Sequence, residues 1–167
     1  MSGLFEMPAE YCIDTNVIVS FLSESDDEVY GSGVFAAYWD LIEGLINEGR
    51  VIAPRQVETE LHRQADRVPA LPSWLKQHHH MFRDIETDEQ LVFAKRLVNT
   101  HSAYARNENY LGDLEVISLS AAMGLTVITM ETKRQVSGHR NPKIPNVCEE
   151  FGVRCLSVVG FLKELNV

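Results

Sequence analysis

Four short runs of β-prone residues, Glu10–Ile13, Val51–Ala53, Leu125–Thr129 and Val153–Ser157, constrain this chain more than any other feature. Each is rich in Val, Ile, Leu, Tyr or Cys and nearly continuous in hydrophobicity, whereas a strand with one wet face alternates. Such runs need cover on both faces, and the sequence between them supplies it. Val34–Asn47 (VFAAYWDLIEGLIN) repeats apolar residues at helical spacing and stops at Gly49, a natural terminator. Pro54 opens a helix through about Ala65, because a proline in the first turn loses no hydrogen bond. Ala70–Phe82, Asp88–Thr100, Leu111–Met123 and Val159–Leu165 also read as helices, and Gly124 follows the third of these. Strands separated by helices pair in parallel through crossovers, so the predicted fold class is α/β, a central parallel sheet between helical layers. At 167 residues, without internal repeat, linker or low-complexity tract, the chain 1–167 reads as a single domain.

Charge and motif content exclude several function classes. The net charge is −9, which argues against a protein that coats nucleic acid through bulk positive charge while leaving room for a local basic patch. Cys12, Cys148 and Cys155 have no C-x-x-C spacing, and their odd number suits a reducing compartment better than a disulfide framework. The start, MSGLFEMPAE, has acids and no basic leader region, and no apolar run reaches the ~18 residues of a membrane span. A soluble cytoplasmic protein without membrane contact is the expectation. There is no GxxxxGK loop, GxGxxG fingerprint or GxSxG elbow, so nucleotide-fuelled and serine-hydrolase chemistry have no support.

The acids are better placed. In open parallel sheets, sites form beyond the carboxyl ends of the strands. Asp14 ends the first strand there, and Glu131 follows the third in LTVITMETK. Asp113 lies in the first turn of the helix leading into that third strand, and Glu60 lies on the helix after the second. Four carboxylates gathered at one sheet end repel: two unit charges ~5 Å apart at an effective dielectric near 20 cost roughly 3 kcal/mol. A divalent cation removes that objection, and hard ions such as Mg²⁺ or Mn²⁺ take oxygen ligands from a few carboxylates while keeping several waters.

The segment YCIDTNVIVSFL resembles the opening strand of PIN-domain nucleases, in which an apolar strand ends in Asp followed by Ser or Thr and often Asn. VIAPRQVETEL is similar to that family's second motif, a strand, a Pro, an apolar residue three later and a Glu-Leu pair. GDLEVISLSAAMGLTVITME is similar to the third and fourth: an Asp that starts a helix, small and apolar residues, Gly, then a strand ending in Thr-x-acid. The tail KIPNVCEEFGVRCLSVVGFL resembles an uncharacterised prokaryotic branch of the same family. The resemblance implies a three-layer α/β/α PIN-like fold, and an acidic Mg²⁺ or Mn²⁺ site of Asp14, Glu60, Asp113 and Glu131 with Thr15 or Asn16 in support. It also implies phosphodiester hydrolysis, most readily of RNA, leaving a 5′-phosphate and a 3′-hydroxyl. Many family members carry Asp where this chain has Glu131. In the second motif the helical phase puts Glu58 nearer the centre of the buried stripe of Val57, Leu61 and Ala65, and only the Glu-Leu pairing favours Glu60. Small prokaryotic PIN proteins resemble the toxin halves of toxin–antitoxin pairs, which implies an antitoxin-like partner and a homodimer. The apolar runs GVFAAYWDLIEGLI and SVVGFLKELNV hold more large side chains than one small core needs.

Each residue also has a plainer reading. Asp14 and Asp113 suit helix N-caps, Glu60 and Glu131 suit surface acids, Asn16 suits a local turn, and Glu115 suits a solvated charge pointing away from Asp113. In TKRQVSGHRNPK, Lys133, Arg134, Arg140 and Lys143 form either a solvated loop or an arm that contacts phosphate. His78, His79 and His80 are adjacent and so point in different directions on a helix, which does not suit zinc. Rival functions are a phosphate-ester hydrolase, whose usual Asp-x-Asp pair is broken by Asn16, a non-catalytic PIN-like scaffold, and a DNA-processing nuclease.

Overall fold

The computed structural model describes residues 8–24, 30, 33, 35–133 and 141–165. Strand β1 (Tyr11–Ile13) runs into helix α1 (Thr15–Leu22), followed by α2 (Ala36–Asn47), β2 (Val51–Pro54), α3 (Arg55–Gln64) and α4 (Leu71–Gln77). Next come β3 (Phe82–Arg83), α5 (Asp88–Thr100), α6 (Ala103–Arg106), α7 (Leu111–Met123), β4 (Thr126–Thr129), α8 (Ile144–Glu150), β5 (Cys155–Ser157) and α9 (Val158–Glu164). The sheet is parallel throughout, in the order β3-β2-β1-β4-β5. Successive strands step one way from β1 to β3 and the other way from β4 to β5. The order therefore reverses between β1 and β4, and the crevice beyond their carboxyl ends is the topological switch point of this sheet.

Strands β1, β2 and β4 have the two-sided cover their apolar runs call for, whereas the edge strand β5 is only partly buried. Tyr11, Cys12 and Ile13 are all buried. Tyr11 sets its ring edge-on to Phe161 of α9, centroids 4.8 Å apart, while Cys12 on the opposite face meets Ser120 of α7. Helix α7 is covered by the sheet and by α5, which is why Leu114, Val116, Ile117, Ser118, Leu119 and Ser120 are all buried and its hydrophobicity shows little one-sidedness. Ser120 satisfies its hydroxyl on the Val116 carbonyl at 2.7 Å. Gly124 ends the helix at φ 68°, a backbone only glycine adopts freely, and turns the chain into β4. The result is the three-layer PIN-like α/β/α architecture. Among the described residues no helix is long and apolar enough to cross a membrane.

Several expected elements differ. Ala70–Phe82 is not one helix: α4 stops at Gln77, a 3₁₀ turn spans His79–Met81, and Phe82 and Arg83 add a fifth strand beside Ala53 and Pro54. His78 leaves helical backbone at φ −117° with its ring stacked on Trp74, and a two-residue strand is too short to leave a period in the sequence. The apolar stretch after Asp14 is helix α1, and α6 and α8 emerge where no element was expected. Leu125 is buried but precedes its strand, and β5 begins at Cys155 rather than Val153. The apolar run of α2 goes largely into the core through Trp39, Ile42, Leu45 and Ile46, so it is no surplus face. Val34, the amino-terminal residues 1–7 and the carboxyl-terminal residues 166 and 167 lie outside the described residues.

Candidate functional site

At the switch point lies a cleft of about 340 Å³ whose walls include Asp14, Glu60, Asp113 and Glu131, with Thr15 and Asn16 beside them. Four separate elements deliver the four acids. Asp14 follows β1 with extended backbone (φ −84°, ψ 156°), its amide donating to the Ile128 carbonyl of β4 at 3.1 Å. Its Oδ1 accepts the Thr15 amide at 2.8 Å and its Oδ2 faces the Thr129 hydroxyl at 3.4 Å. Asp14 is thus the N-cap of α1 and a wall of the cleft at once. Thr129 works in both directions, donating to Asp14 and accepting the Glu131 amide at 3.1 Å, which fixes how the chain leaves β4.

Glu60 sits one side chain away. Its Oε2 accepts the Thr15 hydroxyl at 2.6 Å. Glu131 is long enough to reach across to α8, where its Oε2 accepts the Ile144 amide at 2.8 Å, leaving Oε1 without that duty. Asp113 enters from the first turn of α7.

Burial and crowding make Asp14 and Asp113 hard to ionise. Asp14, only 4 % exposed, has its carboxyl pushed up to about 7, chiefly by burial and then by the charges of Glu131 and Glu60, against the pull of the Thr15 amide and the Thr129 hydroxyl. Asp113 is pushed up to about 9 by burial and by Asp14, Glu131 and Glu60, with Lys143 opposing. The donor set, carboxylate oxygens with a hydroxyl in support, suits a hard divalent cation. Among the described residues, no three acidic, His or Cys side chains already converge on one point as ligands do; the carboxylates share the cleft with their repulsion unrelieved.

Glu58 and Glu60 differ in their partners. Glu58 turns away from the cleft to Arg55 at 3.0 Å and His79 at 2.9 Å. Its partial burial works against the charge, yet those two partners hold its carboxyl below the usual range. Glu115 also points elsewhere, but it is half-buried rather than solvated. It accepts a backbone N–H from Gln56 in the first turn of α3, where Pro54 offers no side-chain cap, and burial raises its carboxyl. The three consecutive histidines have three different environments. His78 is buried against Trp74 and faces Glu43, His79 bonds Glu58, and the His80 carbonyl accepts from Arg83.

Of the basic segment after β4, the described cations are Lys133 and Lys143. Lys133 pairs with Glu149 of α8, away from the cleft, while Lys143 immediately precedes α8 without capping it through its side chain and acts on Asp113 through its charge. Arg134 and Arg140 lie outside the described residues. Instead Arg63 and Gln64 of α3, with Glu108, Asn109 and Tyr110 before α7, complete the walls. Arg63 and Gln64 follow Glu60 by three and four residues, the spacing that shares a helix face, and that signal was present in the sequence.

A family model described as "Domain of unknown function (DUF4411)" matches residues 11–167. No curated protein matches the chain. Among solved structures, the crystal structure of VapBC2 from Rickettsia felis bound to a DNA fragment from their promoter is similar at 15% identity, covering 88% of this chain and 97% of that chain with a TM-score of 0.52.

Proposed function

We propose, from the premise that the chain belongs to the DUF4411 family, that it is a metal-dependent phosphodiester hydrolase of the PIN type acting on RNA, built as one nuclease domain. The observation that carries the reading is the cleft itself: four carboxylates from four elements at the switch point of a parallel sheet, two of them held far above the ordinary carboxylate range. Perturbed acids gathered in a cleft are the pattern of a working site. Glu58 and Lys133 stay outside this reading, being committed to partners elsewhere.

When bound, Mg²⁺ or Mn²⁺ supplies a water ionised near neutral pH and neutralises charge on the phosphoryl oxygens. Asp14 and Asp113 would hold the cation from the floor. Glu60 would be aimed by the Thr15 hydroxyl, and Glu131 would offer the oxygen that Ile144 leaves free. Asn16, exposed at the rim, and Arg63 would receive the phosphate backbone, with Lys143 lowering the local negative potential. The expected products are a 5′-phosphate and a 3′-hydroxyl. Incubating the purified protein with labelled RNA and labelled DNA, in Mn²⁺ or in EDTA, tests this. Cleavage of RNA only in Mn²⁺ supports it, cleavage of DNA alone makes it a DNA-processing nuclease, and no cleavage of either leaves the scaffold reading.

Arg63→Glu is expected to weaken RNA binding and to flatten the salt dependence of the dissociation constant by about one unit of log–log slope, as the loss of one phosphate contact does. An unchanged slope measured from 50 to 200 mM salt removes Arg63 from the substrate path.

A toxin role in the cytoplasm, with an antitoxin-like partner and a homodimer, is the biological form of this reading. The two-component assembly named for the Rickettsia felis structure favours it, and Leu91 and Val92 of α5 with Met123 of α7 are exposed apolar residues that a second chain could cover. Induced expression is expected to arrest growth and Asp14→Asn to relieve the arrest at equal protein abundance. Harmless overexpression of a folded, RNA-cleaving protein rejects the toxin role. A concentration-independent mass near 18.9 kDa in light scattering counts against the dimer.

A further inference from the structure

Gly112 is buried in the first turn of α7, immediately before Asp113, and no unusual backbone explains it. The described glycines with positive φ are Gly33, Gly49, Gly124 and Gly152, so Gly112 has the backbone of an ordinary helical residue. Glycine there is a poor helix former by comparison with alanine. Gly44 in the middle of α2 would accept a methyl group into open space, but a Cβ on Gly112 would stand 2.2 Å from Oε1 of Glu60, 2.7 Å from its Cδ and 2.7 Å from its Oε2. All three atoms belong to one carboxylate. The Glu60 carboxylate therefore lies against the bare Cα of Gly112 on one side and is held by the Thr15 hydroxyl at 2.6 Å on the other.

We propose that Gly112 is a positioning residue for Glu60: its missing side chain is the seat that lets this carboxylate reach Thr15 and the cleft shared with Asp14 and Asp113. The two residues come from helices α3 and α7, so one atom's absence on α7 sets the direction of an acid on α3. The group that a methyl would strike is the far end of a flexible side chain rather than backbone or packed core. An alanine is therefore accommodated by Glu60 swinging off Thr15, while α7 stays where it is. The functional consequence rests on the nuclease reading of the cleft; the steric one does not.

The test is a cycle of four proteins: wild type, Gly112→Ala, Glu60→Ala and the double variant, read by metal-free melting, Mn²⁺ affinity and RNA cleavage. Gly112→Ala is expected to fold and melt at or near the wild-type temperature, to bind Mn²⁺ about 10-fold more weakly and to lose about 10- to 100-fold in kcat/KM, the range for a misdirected ligand. In the Glu60→Ala background, where no carboxylate is left to strike, Gly112→Ala should change neither affinity nor residual cleavage. There its better helix propensity should raise the melting temperature by about 2–4 °C, more than in the wild type. A crystal structure of Gly112→Ala should show Glu60 turned off Thr15. Wild-type Mn²⁺ affinity and cleavage in Gly112→Ala, equal losses in both backgrounds, loss of the fold, or a Glu60 still bonded to Thr15 would each overturn the proposal and leave the nuclease reading standing. If the wild type itself binds no Mn²⁺ and cleaves nothing, the nuclease reading falls and takes the functional half of the proposal with it; the crystal structure then decides the steric half.

Discussion

Replacing Asp14 or Asp113 by asparagine is expected to lower kcat/KM for RNA by more than about 100-fold while the metal-free protein melts at the wild-type temperature or above it. The two halves of that result come from one cause. Asp14 is buried beside Glu60 and Glu131, and Asp113 adds a third like charge, so each ionised carboxylate raises the free energy of the folded state. An amide keeps the shape, removes the charge and is a poor ligand for a hard cation. Asp14 is also the N-cap of α1, but asparagine caps about as well as aspartate, and its remaining Oδ1 can still accept the Thr15 amide. A cap role alone therefore predicts little change in activity, whereas ligation predicts its loss. Kinetics on labelled RNA and thermal melts in EDTA measure both halves. Wild-type turnover in either variant, or a melting temperature several degrees lower without metal, would make that residue a structural one.

What could be read from the sequence was whatever depends on the ends of strands. Asp14 was legible because the apolar run before it is short and sharply bounded, so a carboxylate at its edge has only one end of the sheet to occupy; Glu131, which alone reads as a surface acid, stood out only through the four-motif resemblance. Asp113 was legible because the helical pattern Leu111–Met123 puts it in the first turn of α7. Glu60 was not separable from Glu58 by helical phase. What distinguishes them in the structure is partners 21 to 52 residues away, His79 for one acid and Thr15 and Gly112 for the other. The fifth strand is too short to leave a period in the sequence, and Arg63 stands apart from the basic run after β4. There the described lysine nearest β4, Lys133, is spent on Glu149. Glu115 shows the same limit from the other side: a charge that reads as solvated becomes the cap of a helix distant in sequence.

The metal-free protein is expected to lose stability as pH rises from about 5 to about 9, the reverse of the usual behaviour of paired carboxylates. The sign follows from proton counting. Asp14 and Asp113 have folded-state values near 7 and near 9 against 3.8 in the unfolded chain, so between those limits the folded protein binds more protons than the unfolded one. Stability then falls with rising pH, with the loss complete only above the folded values. Because the two acids repel each other, their two protons leave in steps that belong to the pair, and the loss is read as a melting temperature that falls by several degrees across this range. Two comparisons isolate the effect from the other titrating groups. The Asp14→Asn/Asp113→Asn double variant should lose most of this slope, because it carries no proton to release there. Saturating Mn²⁺ should stabilise the wild type more at pH 8.5 than at pH 5.5, since the cation competes with the same protons, and a concentration 100-fold above its dissociation constant contributes about 2.7 kcal/mol. A wild-type slope equal to that of the double variant would show that the four acids do not crowd one another, and a Mn²⁺ shift of the same size at both pH values would place the cation elsewhere on the protein.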